Sequence, residues 1–213
     1  MPESLLSIVP VVPVVVIEDL AHAVPVARAL VDGGLPMIEL TLRTPVALDA
    51  IAAIAAEVPE ILVGAGTIVT PGQVKQAIDA GAEFLVSPGC TPALLSALAG
   101  SGVGFLPGTA TVSEAMSVLE AGYTEMKFFP AEASGGAAYL KSIASPLPAA
   151  RFCPTGGITA TTAASYLALP NVGCVGGSWL TPTHALADKD WDRIRRLAAA
   201  ASGSRPVERD DSA

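Results

Sequence analysis

Histidine is almost missing from this chain: its 213 residues include two, His22 and His184. They stand far apart, so no paired spacing exists for a zinc or iron centre. The same shortage argues against a Ser-His-Asp relay, and no Gly-x-Ser-x-Gly elbow is present to expose a nucleophilic serine. Residue counts alone leave a carboxylate-held magnesium open. Cysteine is scarce as well. Cys90, Cys153 and Cys174 are an odd number in apolar or turn surroundings, which speaks against a disulfide framework and for small core side chains. Basic residues are outnumbered, 12 Lys and Arg against 20 Asp and Glu, for a formal net charge of -8. Those 12 are scattered, whereas a nucleic-acid surface needs them clustered against phosphates. Their rarity makes any lysine or arginine inside an apolar strand informative.

Long apolar runs are also lacking, although 51% of residues are hydrophobic and the mean hydropathy is +0.54. The longest candidate, Ile8 to Ile17, is interrupted by Pro10 and Pro13 and reads as a buried strand with its lead-in rather than a membrane span. The chain opens Met1-Pro2-Glu3, without a basic leader or a cleavage-type segment. The expectation is a cytoplasmic protein with no membrane and no nucleic-acid partner.

What recurs instead is a short apolar, β-branched run followed by an Ala-rich helical stretch. The runs are Val11 to Ile17, Met37 to Leu42, Ile61 to Thr67, Phe84 to Pro88, Val103 to Pro107, Glu125 to Phe129, Arg151 to Thr155 and Val172 to Gly176, with starts 19 to 26 residues apart. Each interval has room for a strand, a loop and a three-turn helix. Eight such units predict an α/β fold, a single-domain (β/α)8 TIM barrel over residues 1–201. An open doubly wound sheet competes, but no Gly-x-Gly-x-x-Gly follows the first run. Thr44-Pro45, Thr70-Pro71, Thr91-Pro92 and Thr181-Pro182 each place a capping hydroxyl before a proline suited to a first helical position. Thr111 and Glu114 have capping-box spacing, and Gly33-Gly34, Gly81, Gly100 and Gly122 are placed to end helices. Ser4 to Val9 is expected to form a short helix over the barrel floor, and Ser202 to Ala213 a polar, disordered tail (202–213).

Barrels of this kind work at the C-terminal ends of their strands. In the second run, alternation sets Glu39, Thr41 and Arg43 on one face and Ile38, Leu40 and Leu42 on the other. Glu39 and Arg43 read either as a functional pair or as a salt bridge tying the strand end to the next helix. In the sixth run Lys127 lies among Met126, Phe128 and Phe129. An ammonium stripped of water there is expected to yield a neutral, unpaired amine able to attack a carbonyl, the chemistry of an imine-forming lysine. The alternative is a lysine that reaches solvent from the strand end. Glu125, two residues earlier, ranks behind Glu39 as a base. The last two runs feed glycine-rich turns, Thr155-Gly156-Gly157-Ile158-Thr159 and Gly176-Gly177-Ser178. Backbone N–H groups and a helix start capped by Thr159 suit a phosphate there, with plain tight turns as the alternative.

Several strings together resemble one family. Ile38-Glu39-Leu40-Thr41-Leu42-Arg43-Thr44, Val63-Gly64-Ala65-Gly66-Thr67, Ser87-Pro88-Gly89, Met126-Lys127-Phe128-Phe129-Pro130-Ala131-Glu132 and Phe152-Cys153-Pro154-Thr155-Gly156-Gly157-Ile158 are similar to those of the 2-keto-3-deoxy-6-phosphogluconate (KDPG) and 4-hydroxy-2-oxoglutarate (KHG) aldolases. The likeness runs from about Val11 to Leu197. It implies a class I carbon-carbon lyase of the Entner-Doudoroff route that forms a Schiff base and needs no cofactor and no metal. It further implies Lys127 as the imine lysine and Glu39 as general acid/base, with Arg43 and Thr67 at the pyruvate carboxylate and Pro88, Phe129 and Thr155 lining the substrate pocket. Gly156, Gly157, Gly177 and Ser178 would hold the phosphate, and the assembly would be a homotrimer. Thr109 departs from the family, which carries a larger apolar residue there, and is expected to alter the pocket rim. A phosphate-binding isomerase or synthase, or a non-catalytic barrel, would share the glycine turns without needing the amine.

Overall fold

The computed structural model describes residues 4–204. Strands β1 (Val11–Val15), β2 (Met37–Thr41), β3 (Leu62–Gly66), β4 (Phe84–Val86), β5 (Gly104–Leu106) and β9 (Val175–Gly177) form one parallel sheet in the order β5-β4-β3-β2-β1-β9. Strands β6 (Gly108–Thr109), β7 (Glu125–Phe128) and β8 (Arg151–Pro154) form a second, also parallel. Parallel neighbours require crossovers, and helices supply them. They are α1 (Ala23–Asp32), α2 (Ala47–Glu57), α3 (Pro71–Asp79), α4 (Pro92–Ala99), α5 (Val112–Glu120), α6 (Gly136–Ile143) and α7 (Ala163–Leu167), followed by α8 (Thr183–Ala187) and α9 (Trp191–Ser202). The result is a curled, TIM-barrel-like α/β fold. Strands β1 and β2 are buried at every position, as expected of a sheet covered on both faces. No helix among the described residues is long and apolar enough to cross a membrane.

All eight apolar runs contain strands, but the fifth run ends at Pro107 with β5 inside it, and a separate strand, β6, begins just beyond. Pro107 separates them because it has no N–H to contribute to a ladder. The break is bridged by its neighbours: Gly108 N donates to Ser87 Oγ at 3.1 Å, and Lys127 N to Pro107 O at 2.9 Å. At the other side, Gly173 N donates to Phe152 O, and Thr155 and Gly176 form an isolated parallel bridge. Contacts therefore join the two sheets at both ends.

Four proline-preceding threonines were expected to cap helices; two do. Thr70 caps α3 in a capping box with Gln73, and Thr91 caps α4. Thr44 instead donates to Ile17 O at 2.6 Å, and α2 starts three residues later. Thr181 gives way to Pro182 at the start of α8, where no side chain caps. Thr111 and Glu114 form the expected box on α5. Hydrogen bonds from the N–H groups of Ala110 and Thr111 hold the Glu114 carboxyl below its ordinary value. The stabilisation this contributes is present above the normal carboxyl range and fades as pH falls through the lowered one. Gly34, Gly81 and Gly122 take the left-handed conformation after their helices, but Gly100 does not; Gly102 does so in its place.

The N-terminal segment is shorter than expected, a 3-10 turn at Leu5–Ser7 capped by Ser4. Leu5 lies against Gly104 at the start of β5, Leu6 against Gly173 ahead of β9, and Ser4 donates to Glu125 at the start of β7. The turn thus covers the N-terminal ends of the strands. At the other terminus Ser202 belongs to α9 rather than to a tail, and residues 205–213 of the expected tail lie outside the described residues.

Candidate active site

Lys127 extends from β7 and Glu39 from β2, on the two different sheets, and their ends meet: Lys127 Nζ donates to Glu39 Oε1 at 3.0 Å. The side chains are 5% and 3% exposed, so the pair is nearly shut off from bulk water. The unpaired amine expected from sequence is therefore corrected, because a carboxylate from across the fold compensates its charge. Neither does Lys127 reach out to solvent. Room for the carboxylate comes from Gly66, where a Cβ would lie within 2.1 Å of Glu39 Oε1. Lys127 Nζ also stands 5.5 Å from the centre of the Phe129 ring.

The salt-bridge alternative for Glu39 and Arg43 is likewise replaced. Arg43 is exposed and donates from Nε to Thr67 Oγ1 at 3.2 Å, joining the ends of β2 and β3. Thr67 holds a φ of 59°, costly for a β-branched residue. Such strain, of the order of 1–3 kcal/mol, gathers where a side chain must be aimed. Glu125, second choice as a base, sits at the opposite end of its strand, where it accepts from Ser4. Thr109 pairs in register with Phe128, so it points to the face opposite Lys127. Its hydroxyl donates to Lys127 O at 3.3 Å, and it lines a groove of about 490 Å³ between α4 and α5. Thr109 therefore does not shape the rim beside the lysine.

Pro88 is half-buried, with its carbonyl close against Gly108. Thr155 is buried, and the Thr155–Gly176 bridge sets the two glycine turns side by side. Gly156 and Gly157 both hold positive φ, at 105° and 79°. Gly177 is buried under Trp179, while Ser178 is exposed. Thr159 Oγ1 accepts from Thr162 N at 3.3 Å and Thr162 Oγ1 from Thr159 N at 3.0 Å, so Thr159 caps the turn leading into α7.

Sequence reasoning missed three features here. Ser87, fully buried, accepts from Gly108 N at 3.1 Å and so satisfies the donor beyond the Pro107 break; its place in Ser-Pro-Gly gave no hint of this. Cys153 stands in register beside Lys127, and its thiol neighbours that of Cys174. That contact, with burial and the charges of Glu125 and Glu39, pushes the Cys174 thiol well above its usual range. Cys174 thus stays protonated and behaves as a core residue, as its apolar setting suggested. The third is a hydrogen bond from Tyr166 to Glu132 at 2.5 Å, beside the glycine turn.

Chemically, the arrangement places a primary amine and a carboxylate in direct proton contact, out of water, at the end of a curled parallel sheet. Such a pair can hand a proton from the amine to the carboxylate and take it back.

Comparison with known proteins gives a consistent picture. The sequence model of the family described as "Aldolase: KDPG and KHG aldolase" matches residues 3–197. The KHG/KDPG aldolase of Escherichia coli strain K12 is 53% identical over 199 residues, covering 93% of this chain and 93% of the relative. A crystal structure of the KDPG aldolase from Legionella pneumophila, with pyruvate captured at low pH as a covalent carbinolamine intermediate, superposes with a TM-score of 0.91 at 47% identity, over 92% of this chain and 96% of that one. The 2-keto-3-deoxy-6-phosphogluconate aldolase of Zymomonas mobilis ZM4, crystallised with 3-phosphoglycerate, gives a TM-score of 0.90 at 48% identity, over 95% of each chain.

Proposed function

This chain belongs to the KDPG and KHG aldolase family, and on that premise we propose that it is a class I aldolase whose covalent nucleophile is Lys127 and whose proton carrier is Glu39. It cleaves 2-dehydro-3-deoxy-6-phosphogluconate to pyruvate and glyceraldehyde 3-phosphate, and 4-hydroxy-2-oxoglutarate to pyruvate and glyoxylate. The observation that carries the residue assignment is the buried 3.0 Å contact between Lys127 Nζ and Glu39 Oε1. It supplies the first step directly: the ammonium gives its proton to Glu39, and the neutral amine adds to the C2 ketone.

Protonated Glu39 then serves as the acid that expels water from the carbinolamine, leaving a cationic imine. That imine is the electron sink for the bond to be broken. Glu39, again a carboxylate, takes the proton of the C4 hydroxyl; the C3–C4 bond breaks, the aldehyde leaves, and an enamine of pyruvate remains on Lys127. Protonation at C3 and addition of water release pyruvate and restore the amine. Arg43, fixed by Thr67 Oγ1, offers its remaining guanidinium donors to the substrate carboxylate. Pro88, Phe129 and Thr155 bound the pocket.

Gly156, Gly157, Gly177 and Ser178 receive the phosphate. The two turns lie side by side, and glycine backbones let N–H groups approach an anion closely. The bonds joining the two sheets at both ends support their reading as one closed barrel. The family likeness supports a homotrimer, a cytoplasmic location and a reaction without cofactor or metal. Residues 1–201 form the catalytic domain.

Cleavage is tested by following pyruvate release from 2-dehydro-3-deoxy-6-phosphogluconate through NADH oxidation by lactate dehydrogenase. Turnover that persists after exhaustive treatment with a metal chelator is expected. No pyruvate release from either substrate would sink the proposal and favour an isomerase, synthase or silent barrel.

A further inference from the structure

Tyr166 lies in α7 and is 1% exposed, yet its hydroxyl bonds outside its own helix. It donates to Glu132 Oε1 at 2.5 Å, and the backbone N–H of Ala137, in the first turn of α6, lies against the phenol oxygen itself. Gly135, at the N-cap position of α6, has no side chain to offer that helix. The phenol therefore takes the place of a capping side chain for a helix it does not belong to.

Glu132 sits in the loop that continues β7 beyond Lys127 and Phe129. That loop is bonded to the glycine turn: Ala131 N donates to Thr155 O at 2.8 Å and Glu132 N to Gly156 O at 3.0 Å. The packing is close, since a Cβ on Gly157 would lie 2.8 Å from Glu132 Cβ, and one on Gly136 3.3 Å from Tyr166 Oη. Tyr166 thus fastens together the loop after the reactive lysine, the glycine turn after β8, and the start of α6.

The geometry points to Tyr166 as a positioning residue that holds Glu132 and the glycine turn in the arrangement a phosphorylated substrate needs, and so sets the preference for phosphorylated over unphosphorylated ligands. This rests on the reading of Gly156, Gly157, Gly177 and Ser178 as the phosphate site. Two effects act in the same direction. Without the phenol the loop loses its outer fastening, and the turn that must meet the anion shifts with it. Glu132 is also exposed, so once released its carboxylate can swing toward the anion, where like charge opposes binding. Burial and the neighbouring Glu132 carboxylate push the phenol far above its usual range, so it remains a donor wherever the protein is folded and active.

The test compares steady-state constants for 2-dehydro-3-deoxy-6-phosphogluconate with half-saturation by pyruvate, which carries no phosphate, in trapping its imine with borohydride. Tyr166→Phe keeps the ring and removes the donor. Its KM for the phosphorylated substrate is expected to rise about threefold to tenfold, the loss of one hydrogen bond, while kcat and the pyruvate half-saturation stay at wild-type values. Glu132→Gln, which keeps an acceptor for the phenol, is expected to retain the wild-type KM. No change in KM for Tyr166→Phe, an equal rise for both ligands, or a fall in kcat alone overturns the inference. Ser178→Ala separates the two levels of the claim. If it raises the KM while Tyr166→Phe does not, the phosphate reading stands and the role of Tyr166 falls; if neither variant changes it, both fall.

Discussion

Lys127→Ala is expected to lose at least about 10³-fold in kcat, equivalent to about 4 kcal/mol of barrier, because it removes the amine proposed to attack the ketone, the one lysine among the described residues that contacts Glu39. The same change should also destabilise the fold. Glu39, 2% exposed, would keep its charge in the interior without a counter-ion. Removing one member of a buried ion pair costs about 3–5 kcal/mol, whereas replacing both by apolar residues of similar volume is often neutral or stabilising. The Lys127→Met/Glu39→Met double variant should therefore recover much of the stability that Lys127→Ala loses, with activity still absent. Urea midpoints at constant m-value measure this. A single variant as stable as the wild type would mean that the pair is not closed in solution.

Glu39→Gln is expected to lower kcat by about 10²-fold or more, the usual contribution of a positioned general acid/base. Glutamine keeps the shape and can still accept from Lys127, which holds the lysine in place although its counter-charge is lost and some stability with it; it cannot take or return a proton. Reactions that need only the amine should suffer less than those that need the shuttle. Imine formation with pyruvate is accordingly expected to slow yet remain detectable, while aldol cleavage nearly stops. An unchanged cleavage rate would remove Glu39 from the mechanism. Glu125 is poorly placed to replace it, because it accepts from Ser4 at the other end of β7.

The difference between what could be read from the residues and what could not follows the range of each interaction. Strand positions were legible because apolar β-branched runs between helical stretches are a local pattern. Lys127 and Glu39 stood out because a charge inside such a run is rare and alternation assigns it a face. Their partnership was not legible. The two residues are 88 positions apart, and alternation says which face a side chain takes, not which residue it meets across the fold. Arg43 was paired with Glu39 on the same reasoning and went instead to Thr67, for the same cause.

The capping threonines show a second limit. Thr44-Pro45 and Thr70-Pro71 are equivalent local signals, but only Thr70 caps, because the carbonyl of Ile17 captures the Thr44 hydroxyl. A tertiary carbonyl, not the local backbone N–H groups of a helix start, fixes where that hydroxyl points. The break at Pro107 had a local cause, a residue without an N–H, and could have been anticipated from the proline alone. Tyr166 could not have been, since nothing near it in the sequence indicates that its hydroxyl serves α6 and the loop after β7.

Borohydride reduction in the presence of pyruvate, followed by mass mapping of the digested protein, addresses the role of Lys127 most directly. A single reduced pyruvate adduct on the peptide bearing Lys127, absent from Lys127→Ala, is the predicted result. An adduct on Lys75, Lys141 or Lys189 instead, or no adduct at all from an enzyme that turns over, would contradict it.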